Sequence, residues 1–324
     1  MRHAKIETIR PSALQPGARV ALVAPAGPLA PEAVDRAVER VRSRGWEPRV
    51  GEYARGRHGY LSGTDEERAA DLNHALRTAD NDAIWFLRGG YGTMRILDRI
   101  DWDALLARHR PVIGFSDNTA IHLGLQRHGL VSFHGPHAAA ELPEFAARQL
   151  HALLTTTRPV GRLPFPAESS GRAETVASGR AEGPLVGGNL ALIAATLGTP
   201  YAVRAEGAIL CLEEVGELTY RIDRLISQLL LAGVLDAVAG VALGAFSDCP
   251  DEGAAGIPTP AEVIRERLEG LGVPVALGFP FGHVAESWTL PLGVRAALDA
   301  DAGTLELLEP ATAALPPPVI PEIR

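Results

Sequence analysis

The amino-acid sequence predicts an α/β protein, with a parallel, doubly wound sheet in its first half and a second β/α block behind it. Three observations carry that expectation. Over the first 140 residues apolar runs alternate with stretches of helical spacing, and strands separated by crossover helices pair in parallel. The regularity is then lost over 140–183, where Thr155-Thr-Thr-Arg-Pro159 and Glu168-Ser-Ser-Gly-Arg172 are rich in turn formers. A chain of 324 residues is also long for one domain, at roughly 100–200 residues each. The expected division is a domain over 1–150, a linker over 151–180, a second domain over 181–312 and an extended tail over 313–324.

Taken in order, Arg19–Ala24 is a buried strand ended by Pro25-Ala-Gly-Pro28. Pro31–Arg44 has helical spacing in Val34, Ala37, Val38 and Val41, and stops at Gly45. Thr64-Asp-Glu-Glu67 matches a capping box and opens a helix to about Thr78. Ala83–Leu87 is a strand running into Arg88-Gly-Gly-Tyr-Gly92, and Pro111–Phe115 another, followed by Ser116–Thr119 and a helix to about His128. The second block opens on a glycine turn at Val186-Gly-Gly-Asn189. Beyond it come a strand at Ala208–Leu212, a helix at Tyr220–Ala232, a strand at Val238–Phe246 and a helix at Pro260–Leu271. Further strands precede a tail that starts at Leu315-Pro-Pro-Pro318, and no internal repeat is visible.

Composition excludes several function classes. With 46% hydrophobic and 22% charged residues the chain is not disordered, and a net charge of −8 argues against a nucleic-acid partner. Two cysteines, Cys211 and Cys249, make no disulfide framework and fit a reducing compartment. Of the 31 basic residues only Lys5 is lysine, which leaves no phosphate-binding P-loop and no buried lysine for Schiff-base chemistry. HExxH and CxxC are missing. The nearest approach to a metal site, His134-Gly-Pro-His137, has a Gly-Pro interior that breaks any helix able to aim both rings together. Neither metal nor cofactor is expected. The longest apolar stretch, Leu229–Phe246, holds Asp236 and three glycines and reads as helix, turn and strand rather than a membrane span. Arg2, Lys5 and Arg10 before the Val20–Ala26 run loosely imitate a signal peptide. That run is short and contains Pro25, so it reads as a first core strand and the location as cytoplasmic.

In open parallel sheets ligands bind beyond the carboxyl ends of the strands, and three polar motifs fall there. In Gly114-Phe-Ser-Asp-Asn118 a serine lies between strand and helix. It is either a raised nucleophile at a helix N-terminus or simply a helix cap. Arg88-Gly-Gly-Tyr-Gly92 offers backbone amides to an anion or a carbonyl oxygen, or is a plain tight turn. It is not GxGxxG, because Arg95 occupies the last position. Leu210-Cys-Leu-Glu-Glu214 ends a strand in two carboxylates, of which only one can face a given cleft. Alternation puts Glu213 on the face of Ile209 and Cys211. His283 sits in the glycine-bounded loop Gly278-Phe-Pro-Phe-Gly-His283. Serine, acid and histidine are the set that a hydroxyl nucleophile needs, since serine is unreactive until a base takes its proton.

These segments resemble the LD-carboxypeptidases, a serine peptidase family that also includes hydrolases conferring microcin C resistance. The likeness runs from Val23-Ala-Pro-Ala-Gly27 to Thr289-Leu-Pro-Leu-Gly293. Between them it takes in Arg88–Gly92, Gly114–Asp117, His134-Gly-Pro136, Gly187-Gly-Asn189, Glu213-Glu-Val-Gly-Glu217, Tyr220-Arg-Ile-Asp-Arg224 and Gly282-His283. The resemblance implies a flavodoxin-like N-terminal domain, related in shape to class I glutamine amidotransferases, and a smaller mixed β/α C-terminal domain. It implies a Ser116–Glu213–His283 triad with oxyanion donors in the N–H groups of Gly89, Gly90 and Asp117. The implied protein is a cytoplasmic homodimer that removes the terminal D-alanine from murein tetrapeptide by cutting an L-to-D amide bond, with no nucleic-acid or membrane partner. Two rival readings stand beside it. One is a microcin-C-type aminoacyl-nucleotide hydrolase, for which Trp288 is available as an aromatic shelf but reads equally as a core residue; the other is a muropeptide-binding protein without turnover.

Overall fold

The computed structural model describes residues 8–250 and 256–315. Arg2 and the lone lysine Lys5 of the signal-like pattern, and all of the expected tail beyond residue 315, lie outside the described residues. The first half runs β1 (Arg19–Val23), α1 (Pro31–Arg42), β2 (Glu47–Val50), α2 (Asp65–Arg77), β3 (Ala83–Phe86), α3 (Trp102–Ala107), β4 (Val112–Gly114), α4 (Thr119–Arg127), β5 (Ser132–His134) and α5 (Glu144–Thr155). The second runs β6 (Gly161–Arg162), β7 (Glu174–Ala177), β8 (Arg180–Asn189), α6 (Leu190–Ala195), β9 (Ile209–Val215), α7 (Thr219–Leu231), β10 (Gly240–Ser247), α8 (Pro260–Leu268), β11 (Val275–Leu277), β12 (Leu290–Leu292), β13 (Arg295–Asp299) and β14 (Thr304–Leu307).

The strands form a six-stranded sheet in the order β12-β5-β4-β3-β1-β2 and an eight-stranded sheet in the order β6-β14-β13-β8-β9-β10-β11-β7. Every residue of β3 is buried, as are four of the five in β1, which is the signature of parallel strands covered on both faces. The expected capping box at Thr64 is present, its hydroxyl accepting from Glu67 N–H while the Glu67 side chain accepts from Thr64 N–H. A continuous apolar core contains Trp85 and Phe133 from the first half and Cys211, Phe281 and Trp288 from the second, so the two sheets share one interior.

Three expectations need correction, and an open choice at Trp288 is decided. The first sheet is parallel over five strands but not wholly so, because β12 from near the end of the chain pairs antiparallel with β5, Leu290 opposite His134. Pro291 lies in β12, which forms the outer strand where a missing N–H is tolerated. The segment expected as a linker supplies β6 and β7, the two outermost strands of the second sheet. Val186–Asn189 is no turn but the end of β8. Gly187 and Gly188 hold φ of +129° and +140°, and a β-carbon on them would fall 2.0 Å from the Cys211 carbonyl oxygen and 2.5 Å from Thr119 Oγ1. The glycines there permit close approach between layers rather than chain reversal. Trp288 is fully buried against Phe165 and Phe279, with its indole N–H on the Pro164 carbonyl. It is core, not a shelf for a nucleobase.

Candidate active site

β4 ends at Gly114, and two residues later Ser116 stands at φ +60°. A non-glycine residue in the left-handed region is strained and persists only where its surroundings impose it. Ser116 opens the single 3-10 turn Ser116–Asn118 that leads into α4, and its side chain caps neither element. The cap alternative therefore fails on geometry. Asp117 is buried and accepts the Thr93 N–H at 2.9 Å, while its carbonyl accepts the Thr93 hydroxyl. Burial, only partly offset by those bonds, pushes its carboxyl above the ordinary range.

The glycine turn after β3 lies directly against this elbow. A β-carbon on Gly89 would sit 3.0 Å from Ser116 Cβ and 3.1 Å from its Oγ, so no larger residue fits beside the hydroxyl. The Gly89 carbonyl is taken by Gly27 N–H at 2.9 Å. Among the described residues the N–H groups of Gly90 and Asp117 have no acceptor within the chain, and unpaired N–H groups near a hydroxyl nucleophile suit a developing oxyanion. Arg68 holds the turn from behind. Its side chain is 1% exposed, and its guanidinium donates to the carbonyls of Pro25 and Gly92 and to Asp65.

Glu213 and His283 meet. His283 Nδ1 lies 2.7 Å from Glu213 Oε2, with Glu213 wholly buried at the end of β9. Burial alone would raise its pKa, but the nearby imidazoles of His134 and His283, the latter hydrogen-bonded to it, outweigh that and hold it at about 2. Gly282, at φ +100°, is required here, since a β-carbon would fall 2.6 Å from Glu213 Oε2. Glu214 points to the other face, as strand alternation requires. It accepts from Asn189 Nδ2 at 2.8 Å, Val215 N–H at 2.9 Å and Ala191 N–H at 2.8 Å in the first turn of α6. It is a helix-end carboxylate that burial pushes upward.

Phe115 links the two halves, its ring 4.7 Å from that of His283 and 4.4 Å from that of His137. No hydrogen bond joins Ser116 Oγ to His283, and such bonds are often made only with substrate in place. His137, considered in the sequence only as a metal ligand, instead contacts Asn118 Oδ1 at 2.9 Å through Nε2. Among the described residues no group of three or more His, Cys, Asp or Glu is arranged to hold a metal ion. Sequence reasoning missed Arg68, Thr93 and His137 as supports; only the short HGP segment signalled His134. A cavity of about 640 Å³ lies elsewhere, lined by His122, Leu123, Val186 and Arg204 among others and by none of the three candidates. The nucleophile-acid-histidine arrangement, not cavity size, locates the site. A strained hydroxyl, a histidine oriented by a buried carboxylate and unpaired amides together can perform acyl transfer.

Comparison with known proteins agrees in kind. The description "LD-carboxypeptidase N-terminal domain" matches residues 20–135 and "LD-carboxypeptidase C-terminal domain" residues 182–298. The murein tetrapeptide carboxypeptidase of Pseudomonas aeruginosa is 35% identical over 291 residues, 87% of this chain and 93% of its own. A muramoyltetrapeptide carboxypeptidase from Oxalobacter formigenes superposes with a TM-score of 0.77 at 31% identity, covering 89% of this chain and 97% of that one. The microcin C7 self-immunity protein MccF, solved with glutamyl sulfamoyl guanosine, superposes with a TM-score of 0.86 at 26% identity, covering 94% and 99%.

Proposed function

The chain belongs to the LD-carboxypeptidase family, and from that premise we propose that it is a serine-type LD-carboxypeptidase releasing the terminal D-alanine of murein tetrapeptide. The observation that carries this reading is the 2.7 Å contact of buried Glu213 with His283 Nδ1, with the His283 ring 4.7 Å from that of Phe115, the neighbour of the strained Ser116. Ser116 Oγ attacks the scissile carbonyl carbon while His283 Nε2 takes its proton. Glu213 accepts the Nδ1–H bond, fixes the tautomer and stabilises the imidazolium. The N–H groups of Gly90 and Asp117, with that of Gly89 in the same turn, bind the oxyanion. Collapse of the tetrahedral intermediate breaks the C–N bond, and His283 returns the proton to the leaving D-alanine amine. A water molecule, deprotonated by His283, then opens the acyl-enzyme and frees Ser116. This sequence requires no metal or cofactor.

The same reading makes the protein a cytoplasmic homodimer acting on peptides of cell-wall turnover, within a flavodoxin-like first domain and a mixed second one. Among the described residues no helix is long and apolar enough to cross a membrane. Incubation with murein tetrapeptide should release D-alanine and leave tripeptide. A second reading, hydrolysis of an aminoacyl sulfamoyl nucleoside, is favoured by the higher superposition on MccF. Against it stands the burial of Trp288, the aromatic residue that the sequence offered as a base-stacking surface. Turnover of the nucleoside without D-alanine release would favour that second reading. Binding of tetrapeptide with no turnover would leave a muropeptide-binding protein.

A further inference from the structure

His134 ends β5, with its backbone paired to Gly114 on one side and Leu290 on the other. Its side chain is buried, and neither ring nitrogen has a hydrogen-bond partner. Glu213 Oε1, equally buried, has none either. The two orphaned groups face each other, His134 Nε2 standing 3.8 Å from Oε1. Aromatic edges close the rest of the space, with Phe115 at 5.8 Å and Phe281 at 6.3 Å between ring centroids. The glutamate is thus flanked by two imidazoles, one on each oxygen, and only one of them is needed by the chemistry above.

We propose that His134 is a positioning residue for the triad acid. With its proton on Nε2, it directs an N–H dipole at Oε1 and leaves Oε2 to receive the Nδ1–H of His283. The inference rests on the serine-hydrolase reading of Ser116 and His283. The physical need is specific. A buried carboxylate held through one oxygen can rotate, or take up a proton and become a donor. A protonated Glu213 would push the His283 proton onto Nε2, the nitrogen that must accept from Ser116. The present separation exceeds a hydrogen bond, and closure by less than an ångström completes the contact.

The other titratable groups nearby do not replace it. His122 lies 6.2 Å from the His134 ring, between centroids, and its nitrogens are engaged by Ser132 Oγ and the Gly114 carbonyl. His137 is engaged by Asn118 and the Phe115 carbonyl. Burial keeps both of these neutral, at about 3. Glu214 faces α6, and His283 already uses Nδ1 on the other oxygen.

The test compares wild type with His134→Phe, His134→Gln and His134→Asn on murein tetrapeptide, with melting curves and pH profiles of kcat/KM. His134→Phe should keep KM within about twofold and lose kcat by ~10–100-fold. Its acid limb should move up by about one pH unit and steepen from one proton to two, because Glu213 now protonates in the assay range. His134→Gln and His134→Asn carry an amide N–H₂ that donates without titrating. The better-fitting of them should recover most of kcat and the wild-type limb. If His134→Phe does not fold, the amides still decide the matter through that limb. A common loss in all variants with an unmoved profile would make His134 a packing residue and overturn the proposal. The His283 Nδ1–H proton resonance, followed without substrate, separates this failure from that of the reading it rests on. A resonance altered in the phenylalanine or amide variants supports positioning even if the wild type releases no D-alanine, and one identical throughout refutes it.

Discussion

Exchanging Glu213 for Gln tests the site with a change of one atom. At 2.7 Å from His283 Nδ1, the new amide can place its N–H₂ where Oε2 stood, and a donor there demands that Nδ1 be the acceptor. The ring proton then moves to Nε2, and the base that should receive the Ser116 proton already carries one. Loss of the orienting carboxylate in a triad of this kind costs ~10⁴ in kcat, equivalent to about 5.5 kcal/mol of transition-state stabilisation. The neighbouring change provides the internal control. Glu214→Gln can retain the oxygen that accepts from Asn189 and Val215, and forfeits the charge-assisted bond from Ala191 N–H, of about 1.5–3 kcal/mol. That loss falls on stability, through the start of α6, and not on the reacting atoms. The assay is D-alanine release under saturating tetrapeptide, with the melting curve of each variant recorded alongside. Glu213→Gln should be folded and nearly inactive, whereas Glu214→Gln should melt lower and keep most of its kcat. The reverse order of kcat losses would transfer the acid role to Glu214, and mild equal effects would remove the acid from the mechanism.

The strain at Ser116, at φ +60°, predicts that Ser116→Gly is more stable than Ser116→Ala by about 1 kcal/mol, reversing the usual order, with both inactive; calorimetry in which alanine is the more stable would contradict the elbow geometry. Arg88 is exposed, with Nη1 on the Pro28 carbonyl at 2.6 Å and, among the described residues, no carboxylate partner, so it is placed to hold the terminal carboxylate of a substrate. Arg88→Gln should raise KM for the free acid by ~10–100-fold and leave that for the C-terminal amide unchanged, and equal effects on both would exclude it as the anchor. Stability should fall on acidification from about pH 6.5. His109, His122 and His137 are held neutral by burial, at about 4, 3 and 3, so the unfolded chain binds protons that the folded chain refuses, at about 1.4 kcal/mol per group per pH unit. The lowered Glu213, at about 2, adds stability above its ordinary value that is lost only as the pH falls towards 2. The raised carboxyls of Asp117 and Glu214 act in the opposite sense. A melting temperature that is flat between pH 6.5 and 4.5 would contradict the buried neutral histidines. Activity should survive EDTA, and restoration specifically by Zn²⁺ would contradict a mechanism driven only by Ser116 and His283.

The most legible parts were those that depend on short-range periodicity. Alternation along Ala208–Leu212 was enough to put Glu213 and Glu214 on opposite faces, because a pleated strand leaves neighbours no common face, whereas the choice between them came from the family resemblance. A serine between a fully apolar run and a helix was enough to suggest an elbow, although its positive φ and its missing cap bond emerge only from the folded backbone. Features set by partners distant in the chain were unreadable. β2, Glu-Pro-Arg-Val, has no apolar alternation and exists because β1 offers its edge. Gly187-Gly188 has the composition of a turn, and only the nearness of Cys211 and Thr119 reveals its purpose. His134 looked like half of a broken metal motif until the fold set Glu213 opposite it. In each case the missing information was a neighbour's identity, which local propensity does not carry.

The pairing of β12 with β5 orders events in time as well as in space. Until Leu290–Leu292 arrives, the first sheet has an open flank at β5, and an open flank is a template for the wrong chain. During synthesis that flank waits for nearly half the polypeptide to be made. The same delayed stretch brings His283, so a ribosome-bound fragment can hold the serine without its base. On the serine-hydrolase reading the nascent protein stays inactive, with that flank open, until its last tenth emerges. Closing the flank and bringing His283 to the hydroxyl both wait for that late stretch, and truncation before His283 forfeits both together.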